Sequence, residues 1–183
     1  MPWDCDKNHL RAEFAAKHLG IVTVKGFFRS LEAKLDMDDD DPNRWSVEAT
    51  IDTGSLDTNN ETRDRKLKSE EYLDADHYPT ITFRSRRVVP ADDGHVVYGD
   101  LTMHGVTREV ALQARLNGEV TDAYGRVCRG FSAHTVLRRS DFGIHMSTSE
   151  PDNDSASDDI RISLAAKALK QGTGDPHPRR RGQ

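Results

Sequence analysis

Leu10-Arg11-Ala12-Glu13-Phe14-Ala15-Ala16-Lys17-His18 decides the fold class. One side of this stretch reads Leu10, Ala12, Phe14, Ala16, His18; the other reads Arg11, Glu13, Ala15, Lys17. Period-two alternation puts these sets on opposite faces of a half-buried strand, whereas a helix needs apolar spacings of three and four.

The same period recurs along the chain. After Gly20, residues 21–37 read as one long strand, with Val24, Phe28, Leu31, Ala33 and Leu35 apolar. Gly26 and a phase change between Phe28 and Leu31 predict a bulge or bend in it. The acidic run at residues 38–41, followed by Pro42-Asn43, is a turn; Trp45, Val47, Ala49 and Ile51 then alternate as a third strand. Residues 59–70 are polar and free of Pro and Gly, which suits a short exposed helix capped by Thr58 or Asn59. Strands resume at Thr80-Ile81-Thr82-Phe83-Arg84-Ser85, and a turn is expected at Pro90-Ala91-Asp92-Asp93-Gly94. Residues 95–104, 107–117, 126–139 and 159–169 complete the set. Their inward faces are Leu101 and Met103; Val110, Leu112, Ala114 and Leu116; Phe131, Ala133, Thr135 and Leu137; and Ile160, Ile162, Leu164 and Ala166.

About eight strands and one short helix, joined by short connections, predict an all-β antiparallel fold. Parallel pairing would need a helix after nearly every strand. Long strands in sequential order favour an up-and-down barrel, which leaves no exposed edge. The domain spans residues 1–170; residues 171–183 carry an Arg triplet but no core-forming residue and read as a disordered basic tail. Ala12, Ala16, Ala33, Ala49, Ala114, Ala133 and Ala166 all fall on inward faces, beside Phe14, Phe28, Phe83 and Phe131. Either bulky neighbours close over these alanines, or the barrel is hollow. An empty, dry pocket of roughly 300–1,000 Å3 would cost about 7–24 kcal/mol as an upper bound, against a total stability of ~5–15 kcal/mol. A large apolar lumen would therefore prefer an occupant.

Composition excludes several classes. At 183 residues the chain needs no disulfide or metal to fold. A net charge of −5 argues against affinity built on phosphate neutralisation, so no nucleic-acid partner is expected. No run reaches the ~18 apolar residues of a membrane-spanning helix, and no stable membrane insertion is expected. The first residues, Met1-Pro2-Trp3-Asp4, lack a basic and an apolar secretory region, so a cytoplasmic location is expected. Cys5 and Cys128 are expected to remain thiols. No CxxC, HExxH or GxSxG occurs, and the aspartates at 38–41 and 152–154 lack the ligand alternation of a calcium loop. Neither a metal nor a cofactor is expected. Asp141-Phe142-Gly143 has no accompanying kinase motif and reads as a turn whose Phe142 plugs one end of the barrel. Arg63 and Asp64 read as a structural pair tying the helix down.

Several blocks resemble the YceI-like, or polyisoprenoid-binding, family. They are Phe14 with His18; Gly26-Phe27-Phe28; Ser55-Leu56-Asp57-Thr58 with Arg63-Asp64 and Leu67; the run from Tyr72 through Asp74, His77 and Pro79 to Phe83; Gly99-Asp100-Leu101-Thr102-Met103-His104-Gly105; and Arg139-Ser140-Asp141-Phe142-Gly143. The match runs from Trp3 to about Leu169. It implies an extended lipocalin-like barrel holding one long apolar chain, such as a polyisoprenoid, isoprenoid quinone or fatty amide. Ligand contacts are then expected from Phe14, Ala16, His18, Phe28, Ala49, Ile81, Phe83, Leu101, Met103, Leu112, Ala114, Phe131, Ala133 and Phe142. His18 is either a head-group contact or a rim histidine satisfied by a carbonyl. Two other functions compete with a carrier: an enzyme on an apolar substrate with His18 as acid or base, and a stress-linked interaction module using the acidic stretch 149–159 and the tail. A homodimer through a strand beside the bulge is allowed.

Overall fold

The computed structural model describes residues 2–145 and 156–172. Its strands are β1 (Pro2–Cys5), β2 (Arg11–His18), β3 (Val22–Phe28), β4 (Leu31–Asp36), β5 (Ser46–Asp52), β6 (Leu56–Asp57), β7 (Thr80–Ala91), β8 (Gly94–Met103), β9 (Val106–Thr121), β10 (Val127–Arg138) and β11 (Asp159–Lys170). Among the described residues α1 (Glu61–Lys68) is the single α-helix. Most of the acidic stretch and all of the tail after Gly172 lie outside the described residues.

The eleven strands merge into eight. β11 pairs with β2 through Ala165 and then with β1 from Ala168, so β1 and β2 are one strand interrupted by a 3-10 turn at Lys7–His9. β3 and β4 form a second line, pairing with β2 and β1 respectively, and β5 with β6 a third. Every neighbouring pair is antiparallel, and β1 against β11 closes the ring. The result is the expected eight-stranded antiparallel barrel with one helix.

Local chemistry explains the interruptions. Asp6 accepts from the Asn8 amide, and Asp52 from the Gly54 amide, capping the 3-10 turns that break two of the lines. The predicted single strand over 21–37 is two strands, broken at residues 29–30, where the Arg29 amide bonds Ser55 O instead of a ladder partner. Gly26 is not a bulge. It sits opposite Phe14 in regular pairing, and a Cβ there would collide with the Phe14 ring and the Thr58 methyl. Pro90 and Ala91 belong to β7 rather than to the turn. β9 runs four residues beyond the predicted Asn117. β1, whose aspartate-interrupted four residues carry little alternation, escapes a sequence reading.

The helix cap is Asn60, which accepts from the Arg63 amide, one residue beyond the expected position. Arg63 and Asp64 do tie α1 down, but each through Thr58: Asp64 Oδ1 accepts from the Thr58 amide at 2.8 Å and hydroxyl at 2.6 Å, while Arg63 Nη2 donates to Thr58 O at 2.9 Å.

Packed clusters sit at the two barrel ends. At one end Trp3, Met37 and Ala168 are buried against Leu35, Trp45, Val127 and Phe131. The Arg129 guanidinium lies 4.5 Å above the Trp3 ring and pairs with Asp39 at 2.9 Å and Glu119 at 2.7 Å. Lys170 joins from the other side and, by its hydrogen bond, holds the Asp39 carboxyl below its ordinary pKa. At the opposite end Tyr72, Phe142 and Ile144 are buried against Leu67, Leu73, Leu101, Met103 and Leu137.

Candidate functional site

Between the end clusters the barrel encloses a cavity, one wall of which is itself packed around the buried Phe83, Val88 and Val97. A cavity of about 330 Å3 is walled by aliphatic and aromatic side chains from all eight strand lines and from the α1 region. The inward residues of β4 and β5 are half-buried rather than buried, because they face a void instead of a packed neighbour. The alanines are the reason: Ala12, Ala33, Ala49, Ala114, Ala133 and Ala166 all line it. Ala49 on β5 and Ala133 on β10 stand four strand lines apart, on opposite walls. At ~24 cal/mol per Å3, leaving this volume empty and dry would cost about 8 kcal/mol as an upper bound.

Of the residues singled out from the sequence, Phe14, Phe28, Ala49, Ile81, Phe83, Leu101, Met103, Leu112, Ala114, Phe131 and Ala133 are on the wall. Ala16, His18 and Phe142 are not. The β2–β11 ladder ends at Ala15, so Ala16 and His18 lie past it on the β2–β3 hairpin, where the His18 backbone bridges Ala156. An acid or base role for His18 on a lumen substrate loses its geometry. Phe142 sits on the turn Arg139–Phe142 and packs into the end cluster, as the plug reading has it; Gly143 ends that turn at φ 72°, a left-handed conformation open to glycine.

Several polar wall residues escape the sequence reading. His95 is one. It pairs with Ala114, faces inward, and lies against Trp45 with ring centroids 4.9 Å apart and the rings tilted by 40°. Three more steps of the alternation back from Met103 and Leu101, through Gly99 and Val97, reach it. Arg139 is another. It lines the lumen beside the end plug and donates to three main-chain oxygens, Ser157 O, Ile144 O and Ala156 O, at 3.2, 2.9 and 3.2 Å. Neighbouring Asp158 accepts from the Ser140 amide and hydroxyl, which lowers its pKa. No local pattern announces this carbonyl-binding role, because its partners come from distant sequence.

Cys5 and Cys128 are free thiols. Cys5 faces the lumen, and burial, followed by nearby Asp4, pushes its pKa up to about 11. The aspartates at 38–41 are used as turn caps and in the Arg129 cluster. Among the described residues no group of three His, Cys, Asp or Glu side chains converges as a metal site, and no helix is long and apolar enough to cross a membrane.

The model of the YceI-like domain matches residues 3–168, nearly the whole chain. The chain belongs to the YceI-like family. A UPF0312 protein of Pseudomonas paraeruginosa is 34% identical over 168 residues, 92% of this chain and 85% of its own length. Among solved structures, Burkholderia cenocepacia BcnA superposes with a TM-score of 0.80 at 21% identity, over 90% of this chain and 99% of that one. A polyisoprenoid binding domain from Saccharophagus degradans superposes with a TM-score of 0.65 at 13% identity, over 91% and 97%. At these identities the two structures speak to the fold, a YceI-like barrel in each case.

Proposed function

We propose that this YceI-like protein binds one long apolar lipid, a polyisoprenoid, isoprenoid quinone or fatty amide, in the barrel lumen and carries or sequesters it. The observation that carries the reading is the alanine-lined apolar cavity between two packed ends. Its volume falls within the range of ligand pockets, and its affinity would come from burial, at ~25 cal/mol per Å2 of apolar surface. The occurrence of this fold in a domain described as polyisoprenoid-binding supports the same ligand class.

Native mass spectrometry of the freshly purified chain, before and after organic extraction, tests the proposal. The expected result is one adduct of several hundred daltons per chain, lost on extraction and identified as a lipid. A chain that comes bare from its own source and takes up no isoprenoid when offered one would overturn it.

A further inference from the structure

The lumen is not sealed all round. A surface recess of about 540 Å3 lies at the tip of the β7–β8 hairpin, and it shares His95, Arg115 and Leu116 with the lumen wall. The pairing shows why the wall is thin there. The β8–β9 ladder stops at His95 opposite Ala114, while β9 continues to Thr121 with no partner on that side. On the other side of β9, Gly118 faces Gly130, so that position also lacks side chains. Arg115 reaches from β9 to Asp93 on the hairpin and spans the gap with an ion pair.

We propose that this window is the mouth of the lumen and that it receives the uncharged oxygen head group, hydroxyl or carbonyl, of the bound lipid, with His95 as the hydrogen-bonding partner. The inference rests on the lumen being a lipid site. Among the described residues the His95 ring makes a tilted ring contact with Trp45 but no hydrogen bond. It is thus an inward polar group with its donor and acceptor unused, at the junction of an apolar cavity and a wet recess. The charges around it select the head group. Asp92 and Asp93 face one cation, Arg115, whose charge Asp93 already engages. A phosphate or diphosphate would meet a net negative rim and no free guanidinium; an alcohol or quinone oxygen meets no such repulsion.

The test uses lipid-extracted full-length protein and three probes of matched chain length: geranylgeraniol, geranylgeranyl phosphate and the corresponding hydrocarbon. The wild type should bind the alcohol more tightly than the phosphate. His95→Phe keeps the ring contact but removes the hydrogen bond. It should weaken the alcohol by about 5–30-fold and leave the hydrocarbon unchanged. Leu116→Trp narrows the window and should slow loading of every probe by about tenfold or more, whereas the outward-facing Val136→Trp should not. Phosphate binding tighter than alcohol, or equal effects of His95→Phe on alcohol and hydrocarbon, would overturn the head-group assignment while the lumen reading stands. Unchanged loading in Leu116→Trp would overturn the window as the route. Failure of all three probes to bind would sink the lumen reading and this inference with it.

Discussion

The ends of the barrel and its middle are built from the same residue types but packed to different purposes. Trp3 is 1% exposed and Phe142 2%, each inside a cluster that leaves little room. Leu112 and Ala114, midway along β9, face open volume. The ends are packed right across, whereas the middle is packed on one wall, around Phe83, Val88 and Val97, and open on the rest. Packing and open volume are thus unevenly divided between layers of one barrel.

Side-chain truncation breaks or sharpens this contrast most strongly. Phe142→Ala should cost about 3–5 kcal/mol, since it opens a void in a packed cluster. Leu112→Ala should cost less, because one side of Leu112 faces the cavity while only the other packs against the Phe83, Val88 and Val97 cluster. Urea midpoints of the lipid-free proteins check this, and equal costs would mean that the middle is as solid as the ends.

A chemical contrast comes next in size. Cys5 looks into the lumen with its pKa raised to about 11. At pH 8 its alkylation should run roughly a hundredfold slower than in the unfolded chain, and should rise about tenfold per pH unit towards pH 11. Lipid loading should slow it further. Rates of adduct formation read by mass spectrometry decide it, and a folded-state rate equal to the unfolded one would place Cys5 outside the lumen.

The smallest effect concerns the β9–β10 turn, outside both layers. The hydrogen bond from Arg126 lowers the Asp122 pKa to about 2. A depressed carboxyl pKa stabilises the fold above the ordinary value near 3.8 and loses that contribution as pH falls towards 2. Arg126→Gln should therefore flatten a small part of the stability slope between about pH 4 and pH 2 and leave lipid binding unchanged. Urea midpoints across that window check it; an unaltered slope would remove the assigned cause.

The middle of the barrel was more legible in the sequence than its ends. Alternation is local, so strands such as β5 and β10, and most of the wall from Phe14 to Ala133, follow from period two alone. Counting alanines on the inward faces raised the hollow as one of two readings, the other being bulky neighbours closing over them. The resemblance to the YceI-like family added the ligand class. Plugs, breaks and mouth depend on contacts between distant segments. Trp3 meets Arg129, and Arg139 meets Ala156, only once the ring has closed. His18 failed for a related reason: its parity is inward, but the ladder that would carry it to the wall ends at Ala15. His95 has the same parity signal and a ladder that does reach the lumen. Parity names the face; ladder length decides whether that face sees the cavity.

The most direct test of the hollow middle is calorimetric titration of geranylgeraniol into the lipid-free wild type and into an Ala49→Trp/Ala133→Trp variant. These two alanines lie on opposite walls of the lumen, Ala49 at the edge of the Phe83, Val88 and Val97 cluster, and neither belongs to an end cluster of Trp3 or Phe142. The account predicts one site with a negative heat-capacity change in the wild type, and no binding in a variant that still unfolds cooperatively. Equal binding by both proteins would contradict it.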